Sequence, residues 1–146
     1  MVRAEAVSHA EIPDGMELAP LRIAVTATTL AKDVAGTRDL YPIHHDHEFA
    51  KAAGARNIFL NTMWYQGVLG RYATDWGGPE SFVRRLSFEM RATNCPGDTL
   101  TVRGTVVGTS VTDDETLVNL DVRIDNQLQQ DTVTARLTLG LPRPAQ

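Results

Sequence analysis

Alternation between apolar and polar residues dominates the second half of the chain. Runs with this period recur four times, at residues 86–90, 100–102, 118–124 and 133–139. A period of two is typical of strands in an antiparallel sheet with one buried face. Residues with turn chemistry separate the runs. An earlier run, in which Leu21, Ile23, Val25 and Ala27 alternate with polar residues, predicts one more strand near the start.

The first half of the chain carries the helical patterns. Asp46 can cap a short helix that Gly54 would end. The longer apolar segment 57–72 predicts a second helix that is apolar on most of its faces, and such a helix is buried. Gly67 and Gly70 would each weaken that helix by ~1 kcal/mol. Their presence therefore predicts a close approach of the helix to a strand or to a ligand.

One strand, then helices, then four strands, with the main helix buried, describes an α+β hot-dog fold. In this fold an antiparallel sheet wraps around a central helix. We expect a flexible lead-in over residues 1–16 with a turn at Pro13-Asp14-Gly15, a single hot-dog domain over 17–141, and a Pro-punctuated tail over 142–146. The open sheet edge of such a domain favours dimerisation, edge to edge.

Composition removes several classes of function. The 146 residues suit one domain, and a net charge of −4 argues against nucleic acid as a partner. No stretch approaches the ~20 apolar residues of a membrane span, and the N-terminus lacks the apolar run of a secretory signal. Cys95 is the single cysteine, which excludes an intrachain disulfide and a multi-cysteine zinc site. We expect a protein of the reducing cytoplasm.

A short motif in the first half carries candidate chemistry. Asp39, Pro42, Ile43, His44 and Ala50 stand at the spacing of a signature in which an Asp, one residue, Asn-Pro, an aliphatic residue and His precede a short helix. The motif resembles that of the MaoC-like, hydratase-2 hot-dog enzymes. The chain departs from it where Tyr takes the place of the Asn, at position 41.

Further segments resemble a subgroup of that family, the small subunits of actinobacterial steroid side-chain enoyl-CoA hydratases. These segments recur in the same order along most of the chain: Thr37-Arg38-Asp39, His44-His45-Asp46, Ile58-Phe59-Leu60-Asn61, Arg71-Tyr72 and Thr74-Asp75-Trp76. The resemblance implies a lyase of lipid metabolism, an enoyl-CoA hydratase or 3-hydroxyacyl-CoA dehydratase. It also implies a bulky acyl thioester as substrate, such as one derived from a steroid.

Hydration of an enoyl thioester needs proton transfer and a site for negative charge on the thioester oxygen. Asp39 and His44, five residues apart on a Pro-bent loop, can converge on one water, and a His with a pKa of ~6.5 suits proton transfer near neutrality. The backbone amide of Thr62, near the start of the central helix, is the candidate oxyanion donor. Four side chains are candidate substrate contacts: Tyr41, Asn61, Trp64 and Tyr65.

We expect no metal and no cofactor, since the CoA or acyl-carrier thioester is itself the substrate. His44, His45, Asp46 and His47 are adjacent and so point apart, and only His44 and His47 would share a helical face. We expect Asp46 to be a helix cap instead. The expected assembly is a homodimer or a heteromer with a second hot-dog protein.

Two other functions stay open. Acyl-CoA thioesterases share the fold but usually place a carboxylate on the central helix, and residues 57–72 contain no Asp or Glu. A non-catalytic subunit of a heteromeric hydratase would explain Tyr41 and Thr62, which replace the Asn and the Gly that the family usually has. The direction of the reaction is open as well, because hydration and dehydration use the same site.

Overall fold

The computed structural model describes residues 12–143. A 3₁₀ turn lies between the first two α-helices, over Pro42–His44. The regular elements follow in this order: β1 (Leu21–Ala24), α1 (Ala27–Thr37), α2 (His47–Ala52), α3 (Thr62–Gly77), β2 (Phe82–Met90), β3 (Thr99–Val111), β4 (Glu115–Asp125) and β5 (Val133–Pro142). Within the described residues, no helix is both long enough and apolar enough to cross a membrane.

The five strands form one antiparallel sheet in the order β1-β3-β4-β5-β2. Every second residue of β4 and β5 is buried, as their alternating sequence predicts. The buried residues of the sheet and of α3 belong to one hydrophobic core. The predicted architecture, one strand, then helices, then four strands around a central helix, is confirmed, and the fold is the α+β hot dog.

The central helix buries one face rather than most of its surface. Tyr65, Leu69 and Ala73 are fully buried against the sheet. On the opposite face Met63 and Gly67 are exposed. The prediction of a helix buried on most sides is therefore wrong for the chain by itself, because α3 lies on the sheet and its outer face borders a groove.

Close backbone approach occurs at a glycine other than the two predicted. A Cβ added at Gly67 or Gly70 would meet no atom within 4 Å, so neither glycine lies against a strand. A Cβ added at Gly104, in β3, would stand 2.8 Å from the ring of Tyr72. The helix and the sheet therefore come close together where an aromatic ring of α3 covers a strand glycine, and again at the end of α3, where a Cβ added at Gly77 would stand 2.5 Å from the Leu139 side chain.

The first helix was not expected from the sequence. The alternation of residues 21–27 predicts a strand through Ala27, but β1 ends at Ala24 and α1 begins at Ala27. Thr26 caps α1, because its hydroxyl accepts a hydrogen bond from the Thr29 amide, and the Thr29 hydroxyl accepts one from the Thr26 amide. This local pair of bonds ends the strand, although Val25 remains buried.

The other two helices follow the predictions in part. Asp46 caps α2 through bonds from the amides of Glu48 and Phe49, as expected, and Gly54 follows the helix with a φ of 86°. The central helix begins at Thr62 instead of residue 57 and continues to Gly77. Residues 57–60 precede it outside any helix, because Asn61 supplies the cap.

The ends of the domain lie partly outside the described residues, which exclude 1–11 and 144–146. The predicted turn at residues 13–15 is present, with a bond from the Met16 amide to the Pro13 carbonyl. After it, the Gly15 and Leu18 amides donate to the carbonyls of Val106 and Gly104. This segment therefore covers part of the edge of β3 beyond β1.

Two glycine variants should separate the tight contact from the open one. Gly104→Ala should lower the free energy of unfolding by about 1–3 kcal/mol, because the new methyl group meets the Tyr72 ring. Gly70→Ala should raise it by up to about 1 kcal/mol, because alanine favours the helix and the space around the position is open. Chemical denaturation measures both, and equal effects would contradict this packing.

Candidate active site

The end of α1 and the turn after it bring Asp39 and His44 together. Arg38 adopts the left-handed conformation, with a φ of 57°, and so ends α1 and reverses the chain direction. Pro42 then begins the 3₁₀ turn that carries His44 inward. The His44 Nε2 atom lies 3.3 Å from the Asp39 Oδ2 atom. The histidine is 7% exposed, whereas a quarter of the Asp39 side chain is exposed, so solvent reaches the pair from the side of Asp39.

The protonation of the His44 ring is fixed by its second nitrogen. Nδ1 lies 2.7 Å from the carbonyl oxygen of Phe59. Because a carbonyl only accepts hydrogen bonds, Nδ1 carries the proton and donates it. In the neutral ring, Nε2 is then an unprotonated base that faces the Asp39 carboxylate. The two side chains can together take a proton from a water between them and give one back.

The segment before α3 that supplies this carbonyl is held by buried polar contacts. The Leu60 amide donates to the Asn94 carbonyl, and Asp98 accepts bonds from the Cys95 amide and from Arg56. Burial by itself would raise the pKa of Asp98, but these bonds and one from a glutamine hold that pKa below its ordinary value. Asp98 is therefore a charged anchor for the loop that packs on this segment.

The first turn of α3 presents main-chain amides. Asn61 caps the helix, and its Oδ1 accepts a bond from the Trp64 amide at 2.9 Å. The Thr62 and Met63 amides, at the first two helical positions, have no acceptor among the described residues. Amides at this position favour negative charge, and both residues are exposed. The Thr62 amide is thus free, as an oxyanion donor has to be.

Tyr41 is an exposed residue beside the Asp39–His44 pair. The residue precedes the 3₁₀ turn and is 56% exposed. Its ring packs edge-on against Phe49 with centroids 5.5 Å apart, and it lies 6.5 Å from the ring of His44. A tyrosine in this position can contact a bound acyl group.

Two of the other predicted substrate contacts lie elsewhere. Tyr65 has no exposed surface, and its hydroxyl accepts a bond from Asn94 within the core, so the prediction that it contacts the substrate is wrong for the chain as folded. Asn61 is also buried, and both ends of its amide bond to the protein, which makes it a cap of α3. Trp64 stays half-buried and borders the groove beside the helix.

The groove lies between α1 and the exposed face of α3 and has a volume of about 440 Å³. Apolar side chains and a glycine of α3 form one wall, and polar residues of α1 form the other. The main lining residues are Thr29, Asp33, Thr37, Met63, Trp64 and Gly67. The groove is wide because Gly67 contributes no side chain and no atom fills the space above it.

Sequence reasoning missed Asp33 and Thr37 as members of this site. Asp33 is a buried carboxylate whose Oδ2 accepts a bond from the Asn61 amide at 3.0 Å. The Thr37 hydroxyl accepts a bond from the Asn61 side chain at 2.8 Å. Both lie on α1, a helix that was not predicted because the alternating pattern before it indicated a strand. Thr37 was noted only as part of the segment Thr37-Arg38-Asp39, with no role of its own.

The remaining histidines of the motif have separate partners. His45 Nε2 lies 3.0 Å from the Leu40 carbonyl, and His47 Nδ1 bonds with the side chain of Asn57. Asp46 is the cap of α2. From residue 12 to residue 143, no group of three or more His, Cys, Asp or Glu side chains is arranged to hold a metal ion.

A hot-dog sheet, an Asp–His pair and free amides at the start of the central helix together define a class of lyases, the hydratases and dehydratases of acyl thioesters. The chain belongs to the MaoC-like family, since the MaoC like domain matches residues 14–127. The predicted family and the predicted lyase class are confirmed.

Individual relatives agree with this assignment. The chain is 32% identical, over 127 residues, to the 3-oxo-4,17-pregnadiene-20-carboxyl-CoA hydratase beta subunit of Mycobacterium tuberculosis, an alignment that covers 87% of this chain and 95% of that protein. The crystal structure of the ChsH1-ChsH2 complex from the same organism matches with a TM-score of 0.81 and 30% identity, over 90% of this chain and 99% of that one. The likeness to the predicted subgroup is thereby confirmed.

A more distant structure supports the fold. The (R)-hydratase from A. caviae involved in PHA biosynthesis matches with a TM-score of 0.73 at 23% identity, over 91% of this chain and 99% of that one. Identity at this level shows that the two chains share the hot-dog fold.

Proposed function

We propose that this protein hydrates the double bond of a bulky enoyl-CoA thioester, or dehydrates the corresponding 3-hydroxyacyl-CoA, with Asp39 and His44 as its catalytic residues. The observation that carries the proposal is their pairing, 3.3 Å between Nε2 and Oδ2, in a chain whose α3 amides at Thr62 and Met63 are free. The expected cofactor requirement is none beyond the thioester itself.

The geometry supports a simple sequence of proton transfers. Asp39 and His44 bind a water and remove one proton as its oxygen adds to the β carbon of the enoyl group. The electrons of the double bond move toward the thioester oxygen, where the Thr62 amide stabilises the charge. The proton then passes to the α carbon, which completes the addition of water. Dehydration is the same sequence in reverse.

Substitution of either catalytic residue should abolish most of the activity. Asp39→Asn and His44→Ala should each lower kcat about 10²–10⁴-fold, because each removes a general acid–base group. Turnover of an enoyl-CoA, followed by loss of the conjugated thioester absorbance, measures the effect. His47→Ala is the matched control, since this exposed histidine lies outside the pair. Near-wild-type turnover in a folded Asp39 or His44 variant would contradict the proposal.

The preference for a bulky acyl group rests on the groove beside α3. Its volume of about 440 Å³ and its apolar wall, with Trp64 and an open space at Gly67, can hold a group larger than a four-carbon chain. The relative named above is the beta subunit of a 3-oxo-4,17-pregnadiene-20-carboxyl-CoA hydratase. A ring-bearing acyl group is therefore the substrate class that we propose.

A larger side chain at Gly67 should change the size preference. Gly67→Leu should lower turnover of a ring-bearing enoyl-CoA about ten-fold or more while leaving crotonyl-CoA turnover within about two-fold, because the side chain fills the groove and not the Asp39–His44 pair. Gly70→Ala is the control, as it strengthens the same helix without lining the groove. Equal losses on both substrates, or a preference of the wild-type protein for crotonyl-CoA, would contradict a bulky substrate.

The two alternative functions fit the site less well. The carboxylate of α3 is Asp75, at the C-terminal end of the helix in an exposed ion pair with Arg71, so it is not beside His44 as a thioesterase carboxylate would be. A non-catalytic subunit would have no use for the Asp39–His44 pair. Tyr41 and Thr62 are both exposed, so these two departures from the family pattern are compatible with access of a substrate to that pair.

We further propose that the protein works with a second hot-dog chain. β2 is an end strand of the sheet, so its outer backbone groups have no partner strand in the described chain, and Phe82 on it is 60% exposed. A solved relative, the ChsH1-ChsH2 complex, contains two kinds of chain. The partner is a second copy or a co-encoded hot-dog protein.

Light scattering should show an assembly of at least two chains, either for the protein alone or with a co-expressed hot-dog partner. Activity should follow the assembled fraction across a dilution series, because separation of the chains exposes the edge of β2. A stable 16.0 kDa monomer with full activity would contradict this prediction.

A further inference from the structure

A carboxylate buried without full pairing lies next to the catalytic pair. Asp33, on α1, is 3% exposed. Its Oδ2 accepts one bond, from the Asn61 amide at 3.0 Å, and its Oδ1 has no hydrogen-bond partner among residues 12–143. Burial of a charged group with a single bond costs free energy. A neutral side chain could accept the same bond at lower cost, so the charge itself requires an explanation.

Asp33 belongs to a small hydrogen-bonded network that joins three parts of the site. The Thr37 hydroxyl donates to the Asp33 carbonyl at 2.7 Å and accepts from the Asn61 side chain at 2.8 Å. The Asp39 amide lies 3.4 Å from the same hydroxyl. The end of α1, the loop that carries Asp39 and the residue that caps α3 are therefore held by one set of bonds.

This network fixes the two halves of the proposed chemistry relative to each other. Asn61 immediately precedes Thr62, whose amide we propose as the oxyanion donor. Asp39 is one member of the catalytic pair. A bond from a main-chain amide to a charged oxygen is shorter and stronger than one to a neutral acceptor. The carboxylate of Asp33 thus holds the start of α3 more firmly than a neutral acceptor would.

We propose that Asp33 is a positioning residue of the hydratase site, which holds the first turn of α3 at a fixed distance from the Asp39–His44 pair through its bond with the Asn61 amide. The inference rests on the proposed function, because it assigns Asp33 a part in that reaction. In this arrangement Asp33 acts through the Asn61 amide and not on the reacting atoms.

The electrostatics of the site agree with this role. Burial raises the pKa of Asp33, the bond from the Asn61 amide and the charge of His44 lower it, and the nearby charge of Asp39 raises it. A carboxyl group whose pKa is raised by folding stabilises the folded state only while it is protonated. This contribution to the free energy of unfolding is fully present below the pKa that Asp33 has in the unfolded chain, near 4, and is lost as the pH rises through its pKa in the folded protein. Ionised Asp33 therefore lowers stability at neutral pH.

Asp33→Asn tests the proposal because it separates stability from activity. The amide keeps an acceptor for the Asn61 amide but removes the charge, so the melting temperature at pH 7 should equal or exceed that of the wild type. We expect kcat to fall about ten-fold or more, with KM changed less than about three-fold, because small misplacement of reacting groups is costly. Asp33→Ala, which removes the acceptor as well, should lose more activity than Asp33→Asn.

The separation of kcat from KM supplies a readout that a purely structural role would not change. A loss of folded protein lowers only the amount of active enzyme. Displacement of the Thr62 amide from the Asp39–His44 pair instead lowers kcat per folded molecule while KM stays nearly the same.

Two further variants keep the test decisive. Leu30→Val alters the packing of α1 at a buried residue outside the network, so it should lower stability and leave kcat within about two-fold. Thr37→Val removes the shared hydroxyl without changing the charge, and it should lower kcat. It therefore tests the same network if the Asp33 variants do not fold.

The outcomes separate this inference from the proposed function. If Asp39→Asn and His44→Ala abolish turnover but folded Asp33→Asn keeps kcat within about five-fold, or loses no more than Leu30→Val, the role of Asp33 is wrong and the hydratase proposal stands. If Asp39→Asn and His44→Ala retain turnover, the proposed function itself fails.

Discussion

Burial of one face of α3 on the sheet is the contact from which the other features of the chain follow. Tyr65, Leu69 and Ala73 fill the space against the strands, and Gly104 lets the Tyr72 ring lie directly on β3. A helix fixed along one side cannot turn about its axis. Its first amides therefore point in a constant direction, and its exposed face, with Gly67, always borders the groove.

The candidate site exists because short polar contacts fix loops against this helix. Asn61 ends the irregular segment before α3 and also bonds with Asp33 and Thr37 of α1. Arg38 in the left-handed conformation then returns the chain toward the helix, so that Asp39 and His44 meet. Asn61 takes part in three of these bonds, and together with the Asp39–His44 contact they determine the distance between a proton-transfer pair and a set of free amides.

The sequence predicted those features that follow from periodicity or from a spaced motif. Alternation located β2 to β5, and the spacing of Asp39 and His44 located the pair that the structure brings together. Features that depend on one local hydrogen bond were missed. The capping pair of Thr26 and Thr29 begins a helix inside an alternating run, and the Asn61 cap moves the start of α3 from residue 57 to 62.

Contacts between distant segments were also beyond a pattern-based prediction. Tyr65 was predicted to contact the substrate because it is aromatic and follows the motif. Its side chain instead projects from α3 into the core, where its hydroxyl accepts a hydrogen bond from Asn94. Asp33 has no motif of its own. The positioning role proposed for it depends on a hydrogen bond from the main-chain amide of Asn61, 28 positions later, to its carboxyl oxygen. Such a contact is visible only in the folded chain.

The acceptor that fixes the His44 tautomer is a main-chain carbonyl, and this has an evolutionary consequence. The Nδ1 proton is donated to the backbone oxygen of Phe59. A substitution at position 59 therefore removes this bond only if it moves the backbone. The Phe59 ring also packs edge-on against the His44 ring, with centroids 5.2 Å apart, so a new side chain there would alter the packing of the histidine but not the acceptor of its Nδ1 proton. The tautomer that leaves Nε2 as the basic nitrogen can therefore persist through changes of side chain at position 59.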